Sequence, residues 1–81
     1  MKEFSLEEVA QHSTPNDLWI IVDNKVYNMT SYYNKHPGGK AMLRQAGKDA
    51  SSAIRSVPAH GLPWTFIQKT LQEHIIGTLK K

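Results

Sequence analysis

His36-Pro37-Gly38-Gly39 and, 24 positions on, Val57-Pro58-Ala59-His60-Gly61 are the stretches on which the reading of this chain turns. Proline at 37 drives His36 out of the α region into an extended conformation. The two glycines after it permit a tight reversal and let another body approach the backbone closely. Each histidine lies between helical patterns. Thr30 or Ser31 is expected to cap a short helix through Tyr33. Lys40 to Ala46 places Met42, Leu43 and Ala46 on one face, with Gly47 closing it in the left-handed conformation. Asp49 caps the next helix, where Ala50, Ala53, Ile54 and Val57 recur at helical spacing until Pro58 ends it. Trp64, Ile67 and Leu71 mark a last helix. Two helix pairs with a histidine at each tip would form opposite walls of a slot, lined by Met42, Leu43, Ile54 and Val57.

Outward from these stretches the chain reads as strands. Leu18-Trp19-Ile20-Ile21-Val22 is apolar throughout and rich in β-branched residues, a buried strand. Asp23-Asn24-Lys25 turns it, and Val26-Tyr27-Asn28-Met29 returns as its hairpin partner. Before it, Ser5-Leu6-Glu7-Glu8 has the form of a capping box opening a helix over 6–11, and Ser13 to Asp17 reads as loop. Ile75-Ile76 begin a closing strand. A strand pair, two helix pairs and a closing strand make an α+β fold in a single domain, residues 1–81.

Composition narrows the chemistry. A chain of 81 residues buries only roughly 60–65% of its unfolded surface, so a bound cofactor would matter to its stability. The absence of cysteine excludes disulfides, iron–sulfur clusters and thiolate zinc sites. The longest apolar run, Leu18 to Val22, is far short of the roughly 20 residues of a membrane span, and Met1-Lys2-Glu3-Phe4 has no secretory character. A soluble, intracellular, monomeric protein is expected, and Asn28-Met29-Thr30 is read as a chance glycosylation sequon. Net charge is +3, unevenly spread. Residues 1–23 hold Glu3, Glu7, Glu8, Asp17 and Asp23 against Lys2, whereas residues 24–81 hold nine bases against Asp49 and Glu73. A basic half suits nucleic acid, an anionic membrane or an acidic protein partner. Because the bases are scattered rather than clustered, nucleic acid is not expected, while docking to an acidic protein partner is.

An apolar slot with opposed imidazoles suits haem, which buries its face and takes a ring nitrogen at each axial site. The competing readings are two glycine-flanked loop histidines without a ligand, and zinc, for which no third ligand is evident. Acid–base catalysis would need a partnered carboxylate, and only Asp49 is near in sequence. His12 and His74 read as ordinary surface or satisfied core histidines.

The ordered set His36-Pro37-Gly38-Gly39, His60 and Asp17-Leu18-Trp19-Ile20-Ile21-Val22-Asp23-Asn24-Lys25-Val26-Tyr27-Asn28-Met29-Thr30, with closing Ile75-Ile76-Gly77-Thr78-Leu79, resembles the cytochrome b5 family over about residues 4–79. The resemblance implies a small mixed sheet with two helix pairs around a non-covalent haem b. It makes His36 and His60 the iron ligands, and Val22, Met29, Tyr32, Met42, Leu43, Ile54 and Val57 the haem contacts. It also implies that each imidazole donates its Nδ1–H to a backbone carbonyl, that of Gly39 for His36 and of Ile54 or Arg55 for His60. Trp19 matches a core tryptophan. The implied function is one-electron transfer through a six-coordinate haem rather than catalysis. A flavin-dependent reductase would be the donor and another redox protein the acceptor. The alternatives are an electron-input domain of a larger oxidoreductase and a haem sensor or storage module.

Several positions depart from the family pattern. Tyr32 and Ile54 replace phenylalanines. Gly61 stands where a serine often binds a haem propionate, leaving that group to backbone amides, water or a lysine. The stretch from His60 to Ile75 is about three residues longer than usual, with Ile67 and Leu71 as candidates for the far wall. Lys40 and Ala41 follow the glycines, where microsomal members carry acids that dock basic partners.

Overall fold

A computed structural model of the chain describes residues 2–35, 40–56 and 64–80. Its elements are β1 (Lys2–Phe4), α1 (Leu6–Ala10), β2 (Ser13–Thr14), β3 (Asp17–Val22), β4 (Lys25–Asn28), α2 (Thr30–Lys35), α3 (Lys40–Arg44), α4 (Ser51–Ser56), α5 (Trp64–Gln72) and β5 (Ile75–Leu79). The strands form one mixed sheet in the order β1-β5-β4-β3-β2. Among the described strands only β1 and β5 run parallel, so the first and last of them meet at one side of the sheet. The expected α+β architecture is thus present.

The sheet is buried on both faces, which is why β3 is apolar along its length. Leu18, Ile20 and Val22 face the larger core with Tyr27, Met29, Ala46, Ala50, Ile67 and Leu71. Ile21 faces a smaller one with Phe4, Val9 and Val26, against which Trp19 and Ile76 pack. Helices α2–α5 therefore cover one face, and α1 covers the other together with the Phe4 side chain of the edge strand β1. No helix among the described residues is long and apolar enough to cross a membrane.

Local chemistry explains most boundaries. The Ser5 side chain accepts from the Glu8 amide at 3.0 Å while Glu8 accepts from the Ser5 amide at 2.9 Å, the reciprocal box foreseen at the start of α1. Asp23 and Asn24 both have positive φ, +49° and +66°. A two-residue loop of this kind matches the right-handed twist of the strands it joins, so Lys25 belongs to β4 and pairs with Val22. At the end of α3, the Gln45 and Ala46 amides donate back to Met42 and Leu43. This tightened turn closes the helix two residues earlier than its apolar pattern suggests, and Gly47 follows in the left-handed region at φ +74°.

Other boundaries differ because tertiary contacts take over. Residues Ser13 and Thr14, expected as loop, pair with Leu18 and Asp17 as a short hairpin arm. β1 was not expected at all. It exists because Gly77 of β5 gives it room: a Cβ there would lie 2.2 Å from the Lys2 carbonyl oxygen. Helix α2 runs to Lys35 rather than Tyr33, since proline at 37 restricts residue 36 and leaves 35 free to be helical. Thr30 does not use its hydroxyl to cap that helix. Its Oγ1 accepts from the Leu18 amide at 2.9 Å and donates to Asn28 Oδ1 at 2.7 Å, tying α2 to the strands.

The connection between α3 and α4 is laced to β3. The Gly47 amide donates to the Trp19 carbonyl at 2.6 Å, that of Ile21 to Lys48 at 3.0 Å, and that of Ala50 to Ile21 at 2.7 Å. Because β2 pairs only with the first two residues of β3, this segment occupies the edge that β2 leaves open. It thereby anchors both helices over the larger core.

Candidate functional site

Helices α2–α5 enclose an apolar cavity above the sheet, walled among the described residues by Met29, Tyr32, Met42, Ile54, Phe66, Ile67, Thr70 and Leu71. Each wall has a local origin. Met29, buried at the end of the β hairpin, forms the floor, and its carbonyl accepts the first helical bond of α2 from the Tyr33 amide. Tyr32 follows one turn later. Ile54 is presented by α4, whose start is set by Asp49: its carboxylate accepts from both the amide and the hydroxyl of Ser51. These two bonds, the hydroxyl's first, hold the Asp49 carboxyl below its ordinary value. Ile67 and Leu71 lie one turn apart on α5 and are buried. They were the sequence candidates for the far wall.

Of the expected haem contacts, Met29, Tyr32, Met42 and Ile54 line this cavity. Val22 and Leu43 belong to the core around it. Val57 and both histidines, His36 and His60, lie outside the described residues. In the chain, His36 directly follows α2 and His60 comes between α4 and α5, so the elements bearing the cavity wall flank both. Phe66 and Thr70 were missed. The stripe Trp64, Ile67, Leu71 accounts for the buried face of α5, and nothing in its spacing says that the flank beside it also meets a cavity. Phe66 remains 49% exposed at the mouth.

The lining suits a flat apolar group. Among the described residues it contains no carboxylate, lysine or histidine, and the Thr70 hydroxyl already donates to the Phe66 carbonyl at 3.0 Å. A porphyrin face needs such a surface and would strand no polar atom on it. The helices around this apolar interior carry bases, and Glu73 stands just past the end of α5. Helices α2–α5 carry Lys35, Lys40, Arg44, Arg55 and Lys69 and no acid. Arg55 is paired with Asp23, in the turn after β3. Neither described histidine lines the cavity, and both have partners: His12 Nδ1–H donates to Asp17, and His74, edge-on to Tyr32 behind the wall, donates Nδ1–H to the Thr70 carbonyl at 2.7 Å.

Comparison with known proteins agrees with the fold. The model of the cytochrome b5-like haem/steroid-binding domain matches residues 5–80. The solved structure of cytochrome b558 from Ectothiorhodospira vacuolata, a prokaryotic homologue of cytochrome b5, superposes with a TM-score of 0.85 at 34% identity, covering 98% of this chain and 99% of that one. Cytochrome b5 of Rhizopus stolonifer is 40% identical over 79 residues, 96% of this chain and 57% of that protein. An acyl-lipid (8-3)-desaturase of Physcomitrium patens is 37% identical over 79 residues, 98% of this chain but only 15% of the desaturase. The chain thus spans little more than half the length of the one relative and a small part of the other. With 76 of its 81 residues matched by one family model and the same fold in a solved homologue, the chain belongs to the cytochrome b5-like haem/steroid-binding domain family, whose cofactor is haem b.

Proposed function

We propose that the chain is a one-electron carrier that holds haem b between His36 and His60. The observation that carries this reading is the apolar cavity between α2–α5, the helices that flank both histidines in the chain. Bound haem supplies an Fe(III)/Fe(II) couple. The residues of this chain do the rest. His36 and His60 would hold the iron through their neutral imidazoles, which would leave oxygen no site of its own. Met29, Ile54, Ile67 and Leu71 keep water from the ring, and the bases on the surrounding helices slightly favour the reduced state. The electron donor in this reading is a flavin-dependent reductase and the acceptor a second redox protein. The exchange is placed inside the cell, where reduced nicotinamide supplies the flavin.

The test is the absorption spectrum of the haem-mixed protein, oxidised, then reduced with dithionite, with and without carbon monoxide. Narrow bands on reduction that ignore carbon monoxide are expected, and His36→Ala or His60→Ala should abolish that spectrum. A spectrum that shifts with carbon monoxide would mean an open axial site and a sensor-like role. Failure to take up haem would end the carrier reading.

A second context has its own observation. The match covers 15% of the Physcomitrium desaturase, which supports, as the second reading, an electron-input domain of a larger oxidoreductase.

A further inference from the structure

The charge asymmetry of the sequence becomes an asymmetry between the two faces of the sheet. Helices α2–α5 cover one face and carry bases without acids. Helix α1 covers the other, with Glu7 and Glu8 exposed on it. The molecule measures 33 × 23 × 20 Å, whereas charges are screened over about 8 Å at physiological salt. A partner approaching the pocket side therefore meets the basic surface with little influence from the acids behind the sheet.

On that side an apolar group stands among the charges. Phe66 is 49% exposed and borders a surface depression with Tyr32, Lys35, Thr70 and Glu73. Lys69 lies three residues further along α5, on the same helix flank as Phe66. Among the described residues Glu73 is the one acid lining this depression, and Lys35 together with the neighbouring Lys69 outnumbers it. Arg55 is excluded from the patch because Asp23 already neutralises it. An apolar centre with a charged rim is the make-up of a protein docking site: the rim steers the encounter and the centre is dehydrated on contact. The same Phe66 lines the cavity wall, so a partner seated on it would approach the redox centre closely.

We propose that Lys35, Phe66 and Lys69 form the docking patch for an acidic redox protein. This rests on the carrier reading above and specifies which chemistry the carrier's partner presents. Electrostatic steering of this kind raises association rates by tenfold or more at low salt.

The test uses the haem-loaded protein, after its spectrum and its reduction by dithionite have been established, so that failure of the carrier reading is seen first. Stopped-flow electron exchange is then followed against two probes, flavodoxin as an acidic protein and cytochrome c as a basic one, from low to high salt. The expected result is a rate with flavodoxin that falls roughly tenfold across the salt range, and that falls several-fold at low salt in Lys35→Glu/Lys69→Glu. The rate with cytochrome c should rise in that variant. Should the double variant fail to fold, the salt series on the unaltered protein and the single Lys69→Gln carry the same decision. Salt-independent exchange with flavodoxin, or faster exchange with cytochrome c at low salt, would overturn the proposal. So would charge-reversed protein that exchanges with flavodoxin normally but no longer binds phosphatidylserine vesicles, since the patch would then serve a membrane.

Discussion

The imidazole of His12 lies flat on the indole of Trp19, with ring centroids 3.6 Å apart and planes 5° from parallel. Its Nδ1–H reaches the Asp17 carboxylate at 2.7 Å. On the same side, Phe4 meets Trp19 edge-on at 4.9 Å. Three rings thus join the turn after α1, the middle of β3 and the first strand. This stack packs on the sheet face away from the cavity.

A purely structural role follows for His12. His12→Ala removes a partly buried hydrogen bond and a stacked ring and should cost about 1–2 kcal/mol. Urea denaturation with and without haem should give the same loss in both states. A changed haem spectrum would contradict the separation of the two faces.

Gly77 should tolerate no side chain. An added Cβ would meet the Lys2 carbonyl oxygen at 2.2 Å and Phe4 Cε2 at 2.7 Å, forcing β1 away from β5. Gly77→Ala is expected to cost about 2 kcal/mol, as overpacking does elsewhere. Faster hydrogen exchange at the amides of β1, with those of β3 unchanged, would locate the damage.

The Asp49 carboxyl gives stability an acid limb. Hydrogen bonds from the Ser51 hydroxyl and amide hold it below its ordinary value of 3.8. A group depressed on folding contributes stability that is complete above its unfolded value and is lost as pH falls through the folded one. Between pH 5 and pH 2 the unaltered protein should therefore lose more stability than Asp49→Asn, which caps without titrating. Equal acid limbs would remove Asp49 from the account.

Haem retention should report on the cavity wall. Ile54→Ala withdraws part of a half-buried apolar side chain, worth about 1 kcal/mol, or roughly fivefold in haem affinity. Transfer of haem to apomyoglobin measures it directly. Removal of haem altogether should lower stability by about 4 kcal/mol when haem stands near 1,000 times its dissociation constant. Melting curves of the two forms test this, and coincident curves would deny the cofactor a stabilising role.

Features encoded by neighbours in the chain were legible from the residues alone. The Ser5–Glu8 box, the turn at Asp23-Asn24, the left-handed Gly47 and the apolar run of β3 each depend on contacts within a few positions, or on burial from both sides. The resemblance carried by His36-Pro37-Gly38-Gly39 and His60 pointed to the family that comparison then established. Four of the expected pocket residues do line one cavity. Phe66 and Thr70 escaped because helical periodicity identifies the face a helix buries, and α5 also meets the cavity beside that face.

By itself, then, the sequence determined the class of fold, the order of strands and helices around the two histidines and the apolar nature of the slot, because composition and short-range spacing are sufficient for these. Tertiary structure alone decided the rest. The pairing of β1 with β5 joins the two ends of the chain, and a polar-looking Lys2-Glu3-Phe4 becomes a strand only because Gly77 leaves room beside it. The lacing of residues 47–50 onto β3 holds α3 and α4 over the core through bonds between segments distant in the chain. The charge excess of residues 24–81 became a basic, pocket-bearing side only once the sheet had placed α2–α5 on one face and α1 on the other. Linear charge counts record how many bases a chain has, and the topology of the sheet sets the direction in which they point.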